Sequence, residues 1–95
     1  MITRKTVEKG AAVKVTFSLP ADNGGVSVVG DFNNWETAAT PLRKRGETRS
    51  ASVILPAGSR YAFRYLGEHG RWFDDDQADA LEDNELGGKN GVLQL

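Results

Sequence analysis

The sequence predicts an all-β fold, an antiparallel sandwich of two sheets, and three observations carry that reading. Runs with the two-residue alternation of half-buried strands recur along the chain. Glycine, proline and asparagine clusters punctuate them at short intervals. No longer stretch follows a helical period, and no internal repeat is present. About six or seven short strands at this spacing fit a sandwich, with a small barrel as the structural alternative.

From Ala12 to Leu19 the residues alternate, with Val13, Val15, Phe17 and Leu19 on one side and Lys14, Thr16 and Ser18 on the other, and Pro20 ends the run. Asp22-Asn23-Gly24-Gly25 is a tight-turn signal, because Asn and Gly accept positive φ, and it leads into a second strand, Val26-Ser27-Val28-Val29. Pro41 to Arg45 and Ser50 to Leu55 flank Gly46-Glu47 as the two arms of a hairpin. After the Pro56-Ala57-Gly58 turn, Arg60 to Leu66 alternates again. Tyr61, Phe63 and Tyr65 share the core face there, while Ala62, Arg64 and Leu66 point away.

Residues 74–85 carry Asp74, Asp75, Asp76, Asp79, Glu82, Asp83 and Glu85 with no basic residue among them, which predicts a solvated loop or at most one helical turn. Gly87-Gly88 is a further break, and Val92-Leu93-Gln94-Leu95 reads as a short closing strand.

At 95 residues the chain fits a single domain, residues 1–95, with residues 1–10 as a polar amino-terminal lead-in. Its 39% apolar and 26% charged fractions belong to a folded chain rather than a disordered one. A formal net charge of −1 sets up no overall field toward nucleic acid or anionic lipid, so the expected partner is uncharged. With no cysteine there is neither a disulfide framework nor a thiolate metal site, and the single His69 leaves little imidazole chemistry; no cofactor or metal is implied. The first residues lack the apolar stretch of a signal peptide, and no run approaches the roughly 20 apolar residues of a membrane helix. The protein is therefore read as cytoplasmic, without a membrane partner.

Gly30-Asp31-Phe32-Asn33-Asn34-Trp35 is the most informative segment. A glycine ends an apolar strand, a Phe can tuck back into the core, and two Asn side chains can cap a tight turn. Trp35 is then held at the far end of the turn. A flat aromatic with one N–H donor suits a sugar ring, whose apolar C–H face lies on the indole while its hydroxyls find polar partners at the edge. Covering the edge of the sandwich is the structural alternative for the same side chain.

Val26 to Trp35 resembles the strand-and-turn signature of the family 48 carbohydrate-binding modules, which include the glycogen-binding domain of the AMP-activated protein kinase β subunit and share their fold with the isoamylase amino-terminal early-set domain. A second similar block is Pro56-Ala57-Gly58, Tyr61-Ala62-Phe63-Arg64-Tyr65 and Gly70-Arg71-Trp72; a third is Leu86-Gly87-Gly88-Lys89-Asn90. The resemblance runs from about Val13 to Leu95 and implies an immunoglobulin-like sandwich. It further implies that Trp35 and Trp72 form a stacking platform for α-glucans such as glycogen, starch or maltodextrin. Arg64 matches the family's basic donor to sugar hydroxyls, Leu86 its apolar side chain against a curved glucan, and Asn90 its hydrogen-bonding amide. Two departures stand out: Leu66-Gly67-Glu68-His69-Gly70 replaces a tighter turn, and Phe73-Asp74-Asp75-Asp76 follows Trp72 where the family tends to have Asp-Pro.

Other classes fit less well. Glycoside hydrolysis needs a carboxyl group kept protonated by an apolar setting, and Asp74, Asp75, Asp76 and Glu82 sit among too many other acids. The same acids lack the glycine and distal glutamate of an EF-hand calcium loop. Arg43-Lys44-Arg45 and Arg49 form a basic patch, but the near-neutral total and the expected burial of Tyr61, Phe63 and Tyr65 argue against nucleic acid. The remaining alternative is a protein-interaction or adaptor domain that docks onto an enzyme of glycogen or starch metabolism.

Overall fold

A computed structural model describes residues 1–21, 24–84 and 87–95. Among them, the strands in chain order are β1 Ile2–Val7, β2 Ala12–Pro20, β3 Val26–Gly30, β4 Arg43–Arg45, β5 Thr48–Pro56, β6 Arg60–Gly67, β7 Trp72–Phe73, β8 Ala80–Asp83 and β9 Lys89–Gln94. One sheet has the order β1-β2-β5-β4; the other runs β3-β6-β9-β8, with β7 added to β6. All pairings are antiparallel. No helix of the described residues is long and apolar enough to cross a membrane.

The alternation read from the sequence sets what lies between the sheets. Val15 and Phe17 of β2 and Phe63 and Tyr65 of β6 are fully buried, with Val13, Leu19 and Tyr61 packed against them. Each such side chain contributes roughly 1.5 to 3 kcal/mol of burial. The rings are also arranged favourably: Phe17 lies 5.4 Å from Phe63, and Phe63 meets Tyr65 edge-on at 6.0 Å. On the opposite face of β6, Ala62, Arg64 and Leu66 point out of the sandwich, as their parity requires.

The predicted hairpin forms as β4 and β5, with Arg45 opposite Thr48. Of the predicted turn Asp22-Asn23-Gly24-Gly25, the first two residues lie outside the described residues, and Gly24 has the expected positive φ of 78°. The strand count exceeds the expected seven because three strands have no alternating signature. β1 lies within the expected polar lead-in: Thr3, Arg4, Lys5 and Thr6 are exposed, and it is the backbone that pairs, from Ile2 opposite Phe17 to Val7 opposite Ala12. β7 is two residues long, and β8 is Ala-Leu-Glu-Asp. The closing strand also begins earlier than expected, at Lys89.

The acidic stretch is only in part a solvated loop: Asp76, Asp79 and Asp83 are exposed, but several of its acids are held by partners. Asp75 is buried, accepting the Tyr65 hydroxyl at 2.6 Å and the Gln77 N–H at 2.8 Å. Asp79 takes Arg4 and the Gln94 N–H, both at 2.7 Å; Glu82 pairs with Arg60 and Asp83 with Lys89. Cations distant in sequence thus compensate acids that have no basic neighbour in the stretch itself, and residues 80–83 become a strand.

Candidate functional site

Gly30 fixes where the site begins. A Cβ there would stand 2.5 Å from the Ala62 carbonyl oxygen and 2.8 Å from the Phe63 Cβ, so only glycine lets β3 approach β6 this closely. A single 3₁₀ turn, Asp31–Asn33, follows. Asn33 ties it down: its Oδ1 accepts the Gly30 N–H at 3.0 Å, and its Nδ2 donates to Val28 O and to Thr40 Oγ1, each at 3.0 Å. Phe32 turns inward and stacks on Phe17 with 5.9 Å between ring centroids. Asn34 and Trp35 are then both left-handed, with φ of 56° and 57°. That conformation is common for Asn but strained for Trp, so neighbouring contacts must hold it.

Asp31 provides one such contact, since the Trp35 Nε1–H donates to its Oδ1 at 2.9 Å. This corrects the role read for that donor: the indole N–H is already used inside the protein. A second bond, Trp35 N–H to Gly30 O at 2.9 Å, closes the turn.

Arg64 comes from the outward face of β6, opposite Val29 of β3. Its Nε donates to Asp74 Oδ1 at 2.9 Å, an ion pair that does not use the terminal N–H groups. Its guanidinium carbon lies 6.0 Å from the centre of the Trp72 ring. The longer turn after Leu66 still closes tightly, with Gly67 N–H donating to Arg71 O at 2.7 Å, and this sets Trp72 opposite Leu66. Trp72 is 40% exposed.

Asn90 enters from β9 opposite Glu82 of β8. The Asn84 Nδ2–H donates to Asn90 Oδ1 at 3.3 Å, which turns the Asn90 NH₂ toward other partners. Asn84 is itself set by the hairpin between β8 and β9, where its Oδ1 accepts Gly88 N–H at 3.0 Å. Sequence reading missed Asn84; its only signal was its position just before the Leu86 to Asn90 block. Leu86 lies outside the described residues.

Trp35, Arg64, Trp72, Asn84 and Asn90 line a single depression of about 230 Å3. Two indoles, a guanidinium and two amides therefore meet although their sequence positions are scattered over three blocks. The depression is smaller than the roughly 300 to 1,000 Å3 of enclosed small-molecule sites, and suits a ligand laid across it rather than swallowed by it. A larger depression, about 630 Å3, lies elsewhere, at β4 and β5, and has no aromatic lining.

A β-sandwich that gathers aromatic and amide groups in a shallow outer depression is built as a binding module. The chain belongs to the carbohydrate-binding module 48 family, the isoamylase N-terminal domain, whose model matches residues 6–81. Among curated proteins it is similar to 1,4-alpha-glucan branching enzymes GlgB. The one from Nocardia farcinica is 33% identical over 75 residues, which is 75% of this chain and 10% of the enzyme. That from Cupriavidus necator is 38% identical over 74 residues, 70% of this chain and 10% of the enzyme. That from Thiobacillus denitrificans is 44% identical over 48 residues, 47% of this chain and 6% of the enzyme. The matched part of the chain thus spans a tenth or less of the length of these relatives.

Proposed function

We propose that the chain, taken as a single module over residues 1–95, is a non-catalytic binder of α-glucans such as glycogen, starch or maltodextrin. The observation that supports this best is the shared depression of Trp35, Arg64, Trp72 and Asn90. Each group answers a different part of a sugar. The indole faces take the apolar C–H surface of a glucose ring, and Arg64 and the Asn90 NH₂ donate to hydroxyl oxygens. Leu86 is assigned the apolar contact with a curved glucan on the resemblance of the Leu86 to Asn90 block to the family's sequence alone. The names of the similar enzymes, which act on 1,4-alpha-glucan, favour this class of sugar over others. A cysteine-free chain suits a reducing compartment such as the cytoplasm.

An open site with few hydrogen bonds gives modest affinity, a Kd on the order of micromolar to millimolar, or about 4 to 8 kcal/mol. Titration of maltoheptaose or β-cyclodextrin, followed by tryptophan fluorescence, tests the proposal. A saturable change in that range supports it. An unchanged signal at millimolar sugar rejects it and leaves a docking module for an enzyme of glycogen or starch metabolism.

A further inference from the structure

The molecule has a second feature, on the other sheet, that sugar binding does not use. β4 is an edge strand and stops early: Arg43, Lys44 and Arg45 pair with Ser50, Arg49 and Thr48, after which β5 continues from Ala51 to Pro56 with β2 on one side and no described strand on the other. The chain before β4 is drawn toward the opposite sheet, where Leu42 N–H donates to Val26 O at 2.8 Å and Pro41 bridges to Ser27. This departure opens the depression of about 630 Å3, lined in part by Thr40, Arg43, Lys44, Arg45, Ser50 and Ser52. No carboxylate contributes to its lining.

Among the described residues no ion pair is formed here, although Glu47 of the same hairpin borders one depression with Lys44. Arg4, Arg60, Arg64 and Lys89 each hold a carboxylate, whereas Arg43, Lys44 and Arg45 are exposed and pair with no acid among the described residues. Register puts Arg43 and Arg45 on the same face as Ser50 and Ser52. Two cations two residues apart at the end of an open strand edge match an extended chain that carries acids at its end.

We propose that this edge receives an acidic segment of a partner protein in extended conformation, adding a strand along β5 in line with β4 and bringing carboxylates at its end within reach of Arg43 and Arg45. Charge selects this occupant. Edge-to-edge pairing with a second copy would set Arg43, Lys44 and Arg45 against their own like charges, the usual protection of an exposed edge. The lining contains no aromatic ring on which a nucleic-acid base or a sugar could stack.

The test is a titration of isotope-labelled protein with a short peptide alternating glutamate and threonine, followed by backbone amide shifts. A lysine-threonine peptide and a short DNA duplex serve as controls. Shift changes are expected at Arg43–Arg45 and Ser50–Leu55 with the acidic peptide alone, weakening as salt rises. The double variant Arg43→Glu, Arg45→Glu should bind at least about tenfold more weakly, and Arg43→Gln, Arg45→Gln should fall between it and the native chain. Maltoheptaose affinity should not change in either variant, which also reports that both remain folded. No shifts at these amides, shifts that survive charge reversal, equal shifts with the DNA, or self-association of the free protein would each overturn the proposal.

Discussion

Asp31 joins Trp35 to the neighbouring strand: one carboxylate oxygen accepts the indole N–H at 2.9 Å, and the other accepts the Ala62 N–H at 2.8 Å. The ring proposed to stack on sugar is therefore referenced to the backbone of β6, the strand that carries Arg64. This matters because Trp35 sits at φ 57°, where an unsupported bulky side chain would relax. Asp31→Ala should cost about 1 to 2 kcal/mol of stability by removing two hydrogen bonds. It should also weaken maltoheptaose binding several-fold, by freeing the ring rather than removing it. Denaturant unfolding and the sugar titration read the two effects separately, and unchanged affinity would show that Trp35 needs no such brace.

Gly30→Ala tests the close approach of β3 to β6. The added methyl collides with the backbone carbonyl of Ala62, which is not a flexible side chain that can swing aside. Overpacking of this kind costs about 1 to 3 kcal/mol, and thermal unfolding should show the loss.

The pH dependence of stability should carry a mark of Tyr65. Burial, and then the hydrogen bond to the Asp75 carboxylate, hold its phenol well above the ordinary tyrosine value. The folded state keeps this proton while the unfolded chain gives it up from about pH 10 upward. Stability from this group is thus complete below about pH 10 and declines above it, by up to about 1.4 kcal/mol per pH unit. Tyr65→Phe should be less stable at neutral pH, because Asp75 loses a partner, and its unfolding free energy should fall less steeply between pH 10 and 11. Parallel slopes for the two proteins would contradict this.

Asn84→Ala should weaken sugar binding through Asn90, whose amide it orients from 3.3 Å away. Loss of its bond to Gly88 N–H also loosens the hairpin between β8 and β9, so amide exchange at Gly88 and Lys89 should quicken. If sugar affinity holds while exchange quickens, the role of Asn84 is confined to the turn.

Much of this was legible in the sequence for a physical reason: period-two alternation fixes a face. Val15, Phe17, Phe63 and Tyr65 could only share the core, and Arg64 could only oppose them. The turn before Trp35 was legible as well, through Asn33 and the inward Phe32. What escaped depends on partners far along the chain. The acids at 74, 75, 79 and 82 looked solvated because their partners are Arg64, Tyr65, Arg4 and Arg60. The occupied indole N–H of Trp35 and the orienting contact of Asn84 are similarly products of packing, not of pattern. Short strands such as β7 have too few residues for any period to show.

The most direct measurement is the maltoheptaose affinity of Trp72→Ala, taken beside its thermal unfolding. Trp72 is 40% exposed and contributes to no core ring pair, so its removal should change stability by no more than about 1 kcal/mol. A folded protein is expected, with an affinity lower by at least about tenfold, or about 1.4 kcal/mol. A folded Trp72→Ala that binds maltoheptaose as tightly as the native chain would contradict the stacking role proposed for Trp72.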